Sequence, residues 1–186
     1  MRLLVIVGSV RPGRVGLPIA RWVADRVGAD FPDIDLDLAD LAELALPFMD
    51  EPKHPRLREY THAHTIAWSE RVAAADAVLF VTPEYNHGYA PALKNAIDYL
   101  IEEWAYKPYG FVAYGGVSAG TRAASALAPV LAMLGMLRAR AAVEINFPGS
   151  RVDDGGFAAT ESEDARLDTL LAELEELAPA LRPLRG

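Results

Sequence analysis

The sequence predicts an α/β protein with a doubly wound parallel sheet of five strands, in the order 2-1-3-4-5, between two layers of helices. Apolar runs of strand length alternate along the chain with segments in which apolar residues recur at helical spacing. Right-handed crossovers through such helices make the strands parallel. In residues 33–38, Ile and Leu alternate with Asp, which is typical of a strand with one wet face. We therefore place this second strand at the sheet edge.

The remaining elements follow in order along the chain. Apolar runs predict strands at 3–7, 77–81, 110–114 and 140–145. Helical spacing predicts helices at 18–28, 62–75, 91–104, 121–135 with a kink at Pro129, and 167–177. Residues 39–60 contain three prolines and are expected to form an irregular crossing loop. We expect residues 1–186 to form a single domain.

Composition excludes several classes of function. The 186 residues carry 26 Asp and Glu against 18 Lys and Arg, and the net charge of -8 opposes nonspecific binding to nucleic acid or anionic lipid. The absence of cysteine excludes thiolate nucleophiles, disulfides and iron–sulfur clusters. No apolar run reaches the ~20 residues of a membrane span, and the first is too short for a signal peptide. We expect a cytoplasmic protein with neither nucleic-acid nor membrane partners.

Three glycine-rich loops are expected to meet at the carboxyl ends of the strands, where open parallel sheets bind ligands. They are residues 8–16, 83–90 and 115–122, which we name the first, second and third loops. The first loop precedes a helix N-terminus that favours an anion, and Arg11 and Arg14 suit a phosphate. Its sequence, GSVRPGRVG, matches neither a Walker A loop nor a dinucleotide fingerprint. An ordinary glycine-rich connection with solvated arginines is the alternative.

The third loop contains G-x-S-x-G, the pattern of a hydrolase nucleophile elbow. Such a hydrolase needs a histidine after its serine, whereas all four histidines precede Ser118. Ser118 and its glycines are better explained as backbone that approaches a flat ligand closely. The histidines also lack the spacing of a metal site, so we expect no bound metal.

The second loop reads PEYNHGYA, and its simplest interpretation is a surface turn. With PALKNAID at 91–98, however, its first four residues closely resemble the signature of the NADPH-dependent FMN reductase family. GSxR at 8–11 is similar to that family's FMN-phosphate loop, and YGGxSxGxR at 114–122 to its third flavin loop. The resemblance spans residues 3–145. Many members carry Ser and Asn where this chain has Arg14 and Gly16, and Ser where it has Gly88.

The resemblance implies a flavodoxin-like fold and hydride transfer from NADPH or NADH to FMN. The electrons then pass to a small-molecule acceptor such as a quinone, an azo dye or a metal oxyanion. No catalytic residue is implied, because the flavin carries the chemistry. A homodimer or homotetramer is also implied. The implied cofactor-binding residues are Ser9, Arg11, Gly13, Arg14, Gly16, Pro83, Glu84, Tyr85, Asn86, His87, Gly115, Gly116 and Ser118.

Two alternatives share this fold and cofactor, namely a flavodoxin-type FMN electron carrier and a non-catalytic flavin-binding module. The phosphate loop of flavodoxins is characteristically rich in Thr and Ser. The first loop of this chain carries arginines instead, which favours the reductase.

Overall fold

The structure is a computed structural model that describes residues 1–154 and 156–185. Its main sheet is parallel, with the order β2-β1-β3-β4-β5 and with β6 also paired to β4. The predicted order is confirmed. The strands of this sheet are β1 (Arg2–Val7), β2 (Asp35–Asp40), β3 (Ala77–Pro83), β4 (Pro108–Gly115), β5 (Leu137–Arg138) and β6 (Val143–Asn146). A separate antiparallel pair joins β7 (Val152–Asp153) to β8 (Gly156–Phe157).

Helices cover both faces of the sheet and complete the predicted three layers. The α-helices are α1 (Gly16–Asp30), α2 (Leu41–Leu44), α3 (Ala63–Ala74), α4 (Pro91–Asp98), α5 (Thr121–Met133) and α6 (Glu161–Leu181). Short 3-10 turns lie at Pro55–Leu57, Glu102–Trp104, Pro148–Arg151 and Arg182–Leu184. None of the helices in the described residues is both long enough and apolar enough to cross a membrane.

Successive residues of the central strands supply two separate cores, because side chains alternate between the faces of a strand. On one face, Leu4 and Phe80 pack with residues of α3, α4 and α5. On the other face, Val5 and Leu79 pack with residues of α1 and α6. All four side chains are fully buried. This burial explains why β1 and β3 have unbroken apolar sequences.

The prediction of one helix over 91–104 is wrong, because α4 ends at Asp98. The indole Nε1 of Trp104 donates to the carbonyl oxygen of Ile97 at 3.1 Å and so takes an acceptor that a continuing helix would use. Trp104 then lies in the separate 3-10 turn and is fully buried. The apolar spacing therefore indicated burial correctly but did not locate the end of the helix.

The prediction of a single fifth strand at 140–145 is also wrong in detail. Two short strands, β5 and β6, share that position beside β4. In the gap between them, the carboxylate of Glu173 accepts the backbone N–H groups of Arg140 and Ala141 at 2.7 and 3.0 Å. A side chain of α6 thus satisfies donors that a continuous strand would have paired with β4.

Candidate functional site

The first loop turns sharply before α1. The N–H of Arg14 donates to the carbonyl oxygen of Arg11 at 3.1 Å. Pro12 and Gly13 lie between them, and Gly13 has a φ of 66°. Proline followed by a residue of positive φ is the requirement of a type II turn. Gly13 is therefore required by the turn itself.

The two arginines of this loop have different surroundings. The guanidinium of Arg14 forms an ion pair with Asp40, whose side chain is almost completely buried at the end of β2. Asp40 also accepts the N–H of Ala42 and so caps α2. Arg11 is exposed and has no ion-pair partner within residues 1–154 and 156–185. Of the two charges, only that of Arg11 is left uncompensated for a ligand.

Three hydroxyl groups are associated with the first loop. The hydroxyls of Ser9 and Tyr85 are hydrogen-bonded at 2.6 Å, which joins the first loop to the second. The hydroxyl of Tyr114 is buried and has no hydrogen-bond partner in the described part of the chain. Burial raises the pKa of Tyr114, so this hydroxyl keeps its proton. A Cβ at Gly16 would lie 2.5 Å from the Tyr114 hydroxyl, so only glycine fits there.

The second loop is a tight turn closed by two backbone hydrogen bonds. The N–H of Tyr85 donates to the carbonyl oxygen of Gly88 at 2.8 Å, and the N–H of Gly88 donates to the carbonyl oxygen of Tyr85 at 2.9 Å. The two central residues, Asn86 and His87, have φ values of 48° and 67°. Positive φ at both positions is the geometry of a type I′ turn, and it strains residues other than glycine. Both central residues are exposed, and neither N–H has an acceptor among the residues described.

The third loop is tied to the second by Glu84. Its carboxylate accepts the hydroxyl of Ser118 at 2.6 Å and the backbone N–H of Arg122 at 3.1 Å. Burial favours the neutral acid, but these hydrogen bonds outweigh it and lower the pKa of Glu84. The N–H groups of residues 116–118 have no acceptor in the described residues. The hydroxyl of Ser118 donates within the protein, whereas the backbone around it remains free.

All three loops thus meet at one edge of the sheet, as predicted, and leave donors without acceptors there. These donors are backbone N–H groups of the first loop at residues 9–11, those of the other two loops, the Nε of Arg14 and the Tyr114 hydroxyl. Unpaired donors beside a helix N-terminus and the charge of Arg11 suit a phosphate. The residues present therefore fit the phosphate of FMN. No group of three or more metal-ligating side chains occurs within the described ranges.

The structure adds two residues that the sequence did not single out. Tyr114 lies within the motif at 114–122, but its role at the first loop was missed. A signal was available, since Tyr114 follows Val112 by two residues and so faces the same helices, including α1. Asp40 carried no comparable signal, because its pairing with Arg14 depends on how β2 lies beside β1.

Comparison with known proteins identifies the family of the chain. The family model described as NADPH-dependent FMN reductase matches residues 1–147. An NAD(P)H-dependent FMN reductase of Schizosaccharomyces pombe is 40% identical over 156 residues, which cover 83% of this chain and 77% of that protein. A 2-hydroxy-1,4-benzoquinone reductase of a Burkholderia species is 32% identical over 117 residues, covering 62% of this chain and 56% of that protein.

A solved structure shows the same fold. FerB, a flavoenzyme NAD(P)H:(acceptor) oxidoreductase from Paracoccus denitrificans, superposes with a TM-score of 0.76 at 20% sequence identity. The superposition covers 97% of this chain and 98% of FerB. The flavodoxin-like fold is thereby confirmed. The family model and the relatives together establish that the chain belongs to the NADPH-dependent FMN reductase family, oxidoreductases that use FMN and NAD(P)H.

Proposed function

We propose that the three loops hold FMN, that NADPH or NADH reduces it there, and that the electrons pass to a quinone. The observation that supports this proposal most strongly is a pair of buried donors without a partner in the described residues, the hydroxyl of Tyr114 and the Nε of Arg14, beside loop N–H groups that also have no acceptor there. A buried polar group without a partner is costly, so such a group at a site indicates a ligand that would pair with it.

The first loop suits the phosphate of FMN. Arg11 and the hydroxyl of Ser9 are the side chains proposed to contact it, with the N–H groups of residues 9–11 and the N-terminus of α1. Gly13 and Gly16 allow the turn and its close approach to Tyr114. Arg14 pairs with Asp40 through a terminal nitrogen, and its Nε, which has no partner in the described residues, is proposed to contact the phosphate.

The second and third loops suit the ring system of FMN. The free N–H groups of Asn86, His87 and residues 116–118 are proposed to donate to its polar edge, with Pro83, Tyr85, Gly115 and Gly116 forming the surrounding backbone. When bound, FMN supplies the acceptance of hydride and the onward transfer of electrons. Fixed N–H dipoles around it would stabilise the negative charge that develops on the ring. No side chain of this chain is required as an acid, base or nucleophile.

A quinone is the acceptor that the loop surroundings favour. Val117 and Phe147 are 87% and 58% exposed at the third loop, and a Cβ at Gly116 would lie 3.7 Å from the Phe147 ring. Exposed apolar side chains beside a flat cofactor suit a flat aromatic acceptor. One relative, the Burkholderia protein, is named for reduction of a benzoquinone.

We further propose a single-domain cytoplasmic protein that forms a homodimer, without nucleic-acid or membrane partners. Phe48 is 87% exposed on the segment before α3. That segment is held in place by Asn95 of α4, which accepts the N–H of Met49 at 3.0 Å and donates to the carbonyl of Pro47 at 2.6 Å. A rigidly held, exposed aromatic side chain is costly in water and suits burial against a second copy.

The test is steady oxidation of NADH and NADPH by the purified protein, with FMN alone and with FMN plus benzoquinone. We expect catalytic oxidation that the quinone accelerates. An FMN electron carrier or a binding module would bind FMN without sustained NAD(P)H oxidation, and that result would overturn the proposal. Size-exclusion chromatography with light scattering tests the dimer, and Phe48→Ser is expected to shift it towards monomer.

A further inference from the structure

Helix α5 begins without a capping side chain of its own. Its N-cap residue is Gly120, with a φ of 86°, so the first N–H groups of the helix need an acceptor from elsewhere. Glu84 of the second loop supplies it, because one carboxylate oxygen accepts the N–H of Arg122 at 3.1 Å. The other oxygen accepts the hydroxyl of Ser118 at 2.6 Å. A single carboxylate therefore joins the second loop to the third loop and to α5.

Backbone contacts make this junction tight. The N–H of Glu84 donates to the carbonyl of Tyr114 at 2.9 Å. A Cβ at Gly115 would lie 3.2 Å from the Cβ of Glu84 and 3.1 Å from the nitrogen of Gly120. A Cβ at Gly120 would lie 2.4 Å from the nitrogen of Tyr114. The glycines thus allow the two loops to pack closely, and the Glu84 carboxylate fixes how they are held together.

The hydrogen bonds that the Glu84 carboxylate accepts from Ser118 and from the backbone N–H of Arg122 hold this junction more strongly than its ion pair with the Arg122 side chain does. That guanidinium lies 3.4 Å from the Glu84 carboxylate and is 50% exposed, whereas the Glu84 side chain is 7% exposed. An exposed, long ion pair contributes little. Buried hydrogen bonds to a charged group contribute more and are costly to break.

We propose that Glu84 is a positioning residue for FMN and that Ser118 acts through Glu84 instead of contacting FMN. This inference rests on the proposed function. The carboxylate holds the free N–H groups of residues 86–87 and of residues 116–118 at a fixed separation, so that both sets can donate to one rigid ring system. Removal of the carboxylate leaves the Ser118 hydroxyl and the Arg122 amide unpaired, and the two loops then lose their common anchor.

The test uses Glu84→Gln, Ser118→Ala, Ser118→Thr and the double variant Glu84→Gln/Ser118→Ala. Glutamine keeps the size of the side chain, but its amide has one acceptor oxygen where the carboxylate has two. The first readout is the Kd of FMN for the apoprotein, measured by quenching of flavin fluorescence. The second is urea denaturation of the apoprotein. The matched control is Glu173→Gln, which alters a carboxylate that also accepts two backbone N–H groups, away from the loops.

We expect Glu84→Gln to raise the Kd of FMN about tenfold and Ser118→Ala about fivefold, the range for one ordinary hydrogen bond, because the loss reaches FMN only through the position of the loops. Ser118→Thr keeps the hydroxyl and is expected to bind FMN as the wild type does. The double variant should bind FMN no more weakly than Glu84→Gln, because the two residues act as one unit. Glu173→Gln should lower the stability of the apoprotein and leave the Kd of FMN unchanged.

Three results would overturn the inference. Unchanged FMN affinity in Glu84→Gln, with a wild type that binds FMN, removes the positioning role and leaves the proposed function standing. If the losses of FMN affinity in the two single variants add up in the double variant, Ser118 contacts FMN separately from Glu84. If Glu84→Gln does not fold, wild-type affinity in Ser118→Ala overturns the inference instead. A wild type that fails to bind FMN refutes the proposed function itself.

Discussion

At the amino ends of the strands, the charged side chains of Lys107 and Asp76 are paired within the protein, whereas at the carboxyl ends several backbone donors have no acceptor in the described residues. Lys107, which precedes β4, is only 3% exposed and donates to the carbonyls of Val72, Ala73 and Ala75 at the end of α3. Asp76, which precedes β3, accepts the N–H of Arg2 at 2.9 Å. The carboxyl ends instead hold the unpaired groups of the three loops.

We therefore expect the amino edge of the sheet to contribute mainly to stability and the carboxyl edge mainly to FMN binding. Polar groups paired within the protein contribute to its stability, whereas exposed donors without an acceptor are solvated in the free protein and are available to a ligand. Substitutions at the amino edge should therefore change the free energy of unfolding and spare FMN binding. Substitutions of carboxyl-edge groups that have no partner within the protein, such as Arg11, should do the opposite.

The largest expected effect is at the amino edge. Lys107→Met removes a donor from three carbonyls, although that of Val72 keeps the N–H of Ala75 as a partner. The variant should lower the free energy of unfolding by about 3 kcal/mol, since each buried group left unpaired is costly. Urea denaturation measures this loss. Lys53→Met, which alters an exposed pair with Glu59, is the control and should cost less than about 0.5 kcal/mol. Equal effects of the two variants would contradict the structural role of Lys107.

The same lysine should make stability depend on pH. Burial lowers the pKa of Lys107 to about 8, from 10.5 for an exposed lysine. Between these values the unfolded chain binds a proton that the folded protein lacks, so the contribution of this group to stability rises with pH. The wild type should gain stability relative to Lys107→Met from pH 8 to pH 10.5. A constant difference in urea denaturation over that range would argue against the lowered pKa.

The next largest change in the free energy of unfolding is expected from a steric clash at the carboxyl edge. Gly16→Ala places a Cβ 2.5 Å from the Tyr114 hydroxyl and should lower the free energy of unfolding by about 2 kcal/mol, as overpacking does. Adding Tyr114→Phe removes that oxygen and should recover most of the loss. Urea denaturation of both single variants and the double variant tests this coupling. No recovery in the double variant would mean that the clash has another cause.

Arg11→Ala should weaken FMN binding and leave the free energy of unfolding unchanged. Loss of a charged hydrogen bond to phosphate should weaken FMN binding by about 1.5–3 kcal/mol. Isothermal titration calorimetry gives the affinity. Arg21→Ala, an exposed arginine on α1, is the matched control and should bind FMN normally. Unchanged affinity in Arg11→Ala would remove Arg11 from the phosphate site.

The smallest effect is expected for Tyr85→Phe. This change removes the 2.6 Å hydrogen bond to Ser9 that joins the first and second loops. FMN binding should weaken by about 1 kcal/mol, the ordinary value of one hydrogen bond, with little change in stability. Calorimetry under the conditions used for Arg11→Ala allows direct comparison. A loss larger than that of Arg11→Ala would reverse the order proposed for these two residues.

The sequence predicted the fold well because the fold depends on patterns that are local. Unbroken apolar runs marked β1 and β3, and alternation with Asp placed β2 at the edge. Where a side chain distant in sequence decides the backbone, prediction failed. The indole of Trp104 ends α4 early, and Glu173 of α6 fills the gap between β5 and β6. Neither contact has a periodic signature.

The candidate site divides in the same way. The meeting of its three loops was predicted correctly, because the carboxyl ends of parallel strands lie at one edge of the sheet. The partners of individual side chains could not be read from the sequence. Arg14 pairs with Asp40, and Ser118 with Glu84, across 26 and 34 residues of chain. Such pairs depend on three-dimensional register, which spacing alone does not encode.

The phosphate site is tested most directly by a comparison of FMN with riboflavin, which has the same ring system without the phosphate. If the first loop is a phosphate site, FMN should bind the apoprotein about a hundredfold more tightly or better, and Arg11→Ala should reduce that preference. Fluorescence quenching measures both affinities in one buffer. Equal affinities for FMN and riboflavin would show that the free donors of the first loop do not hold a phosphate.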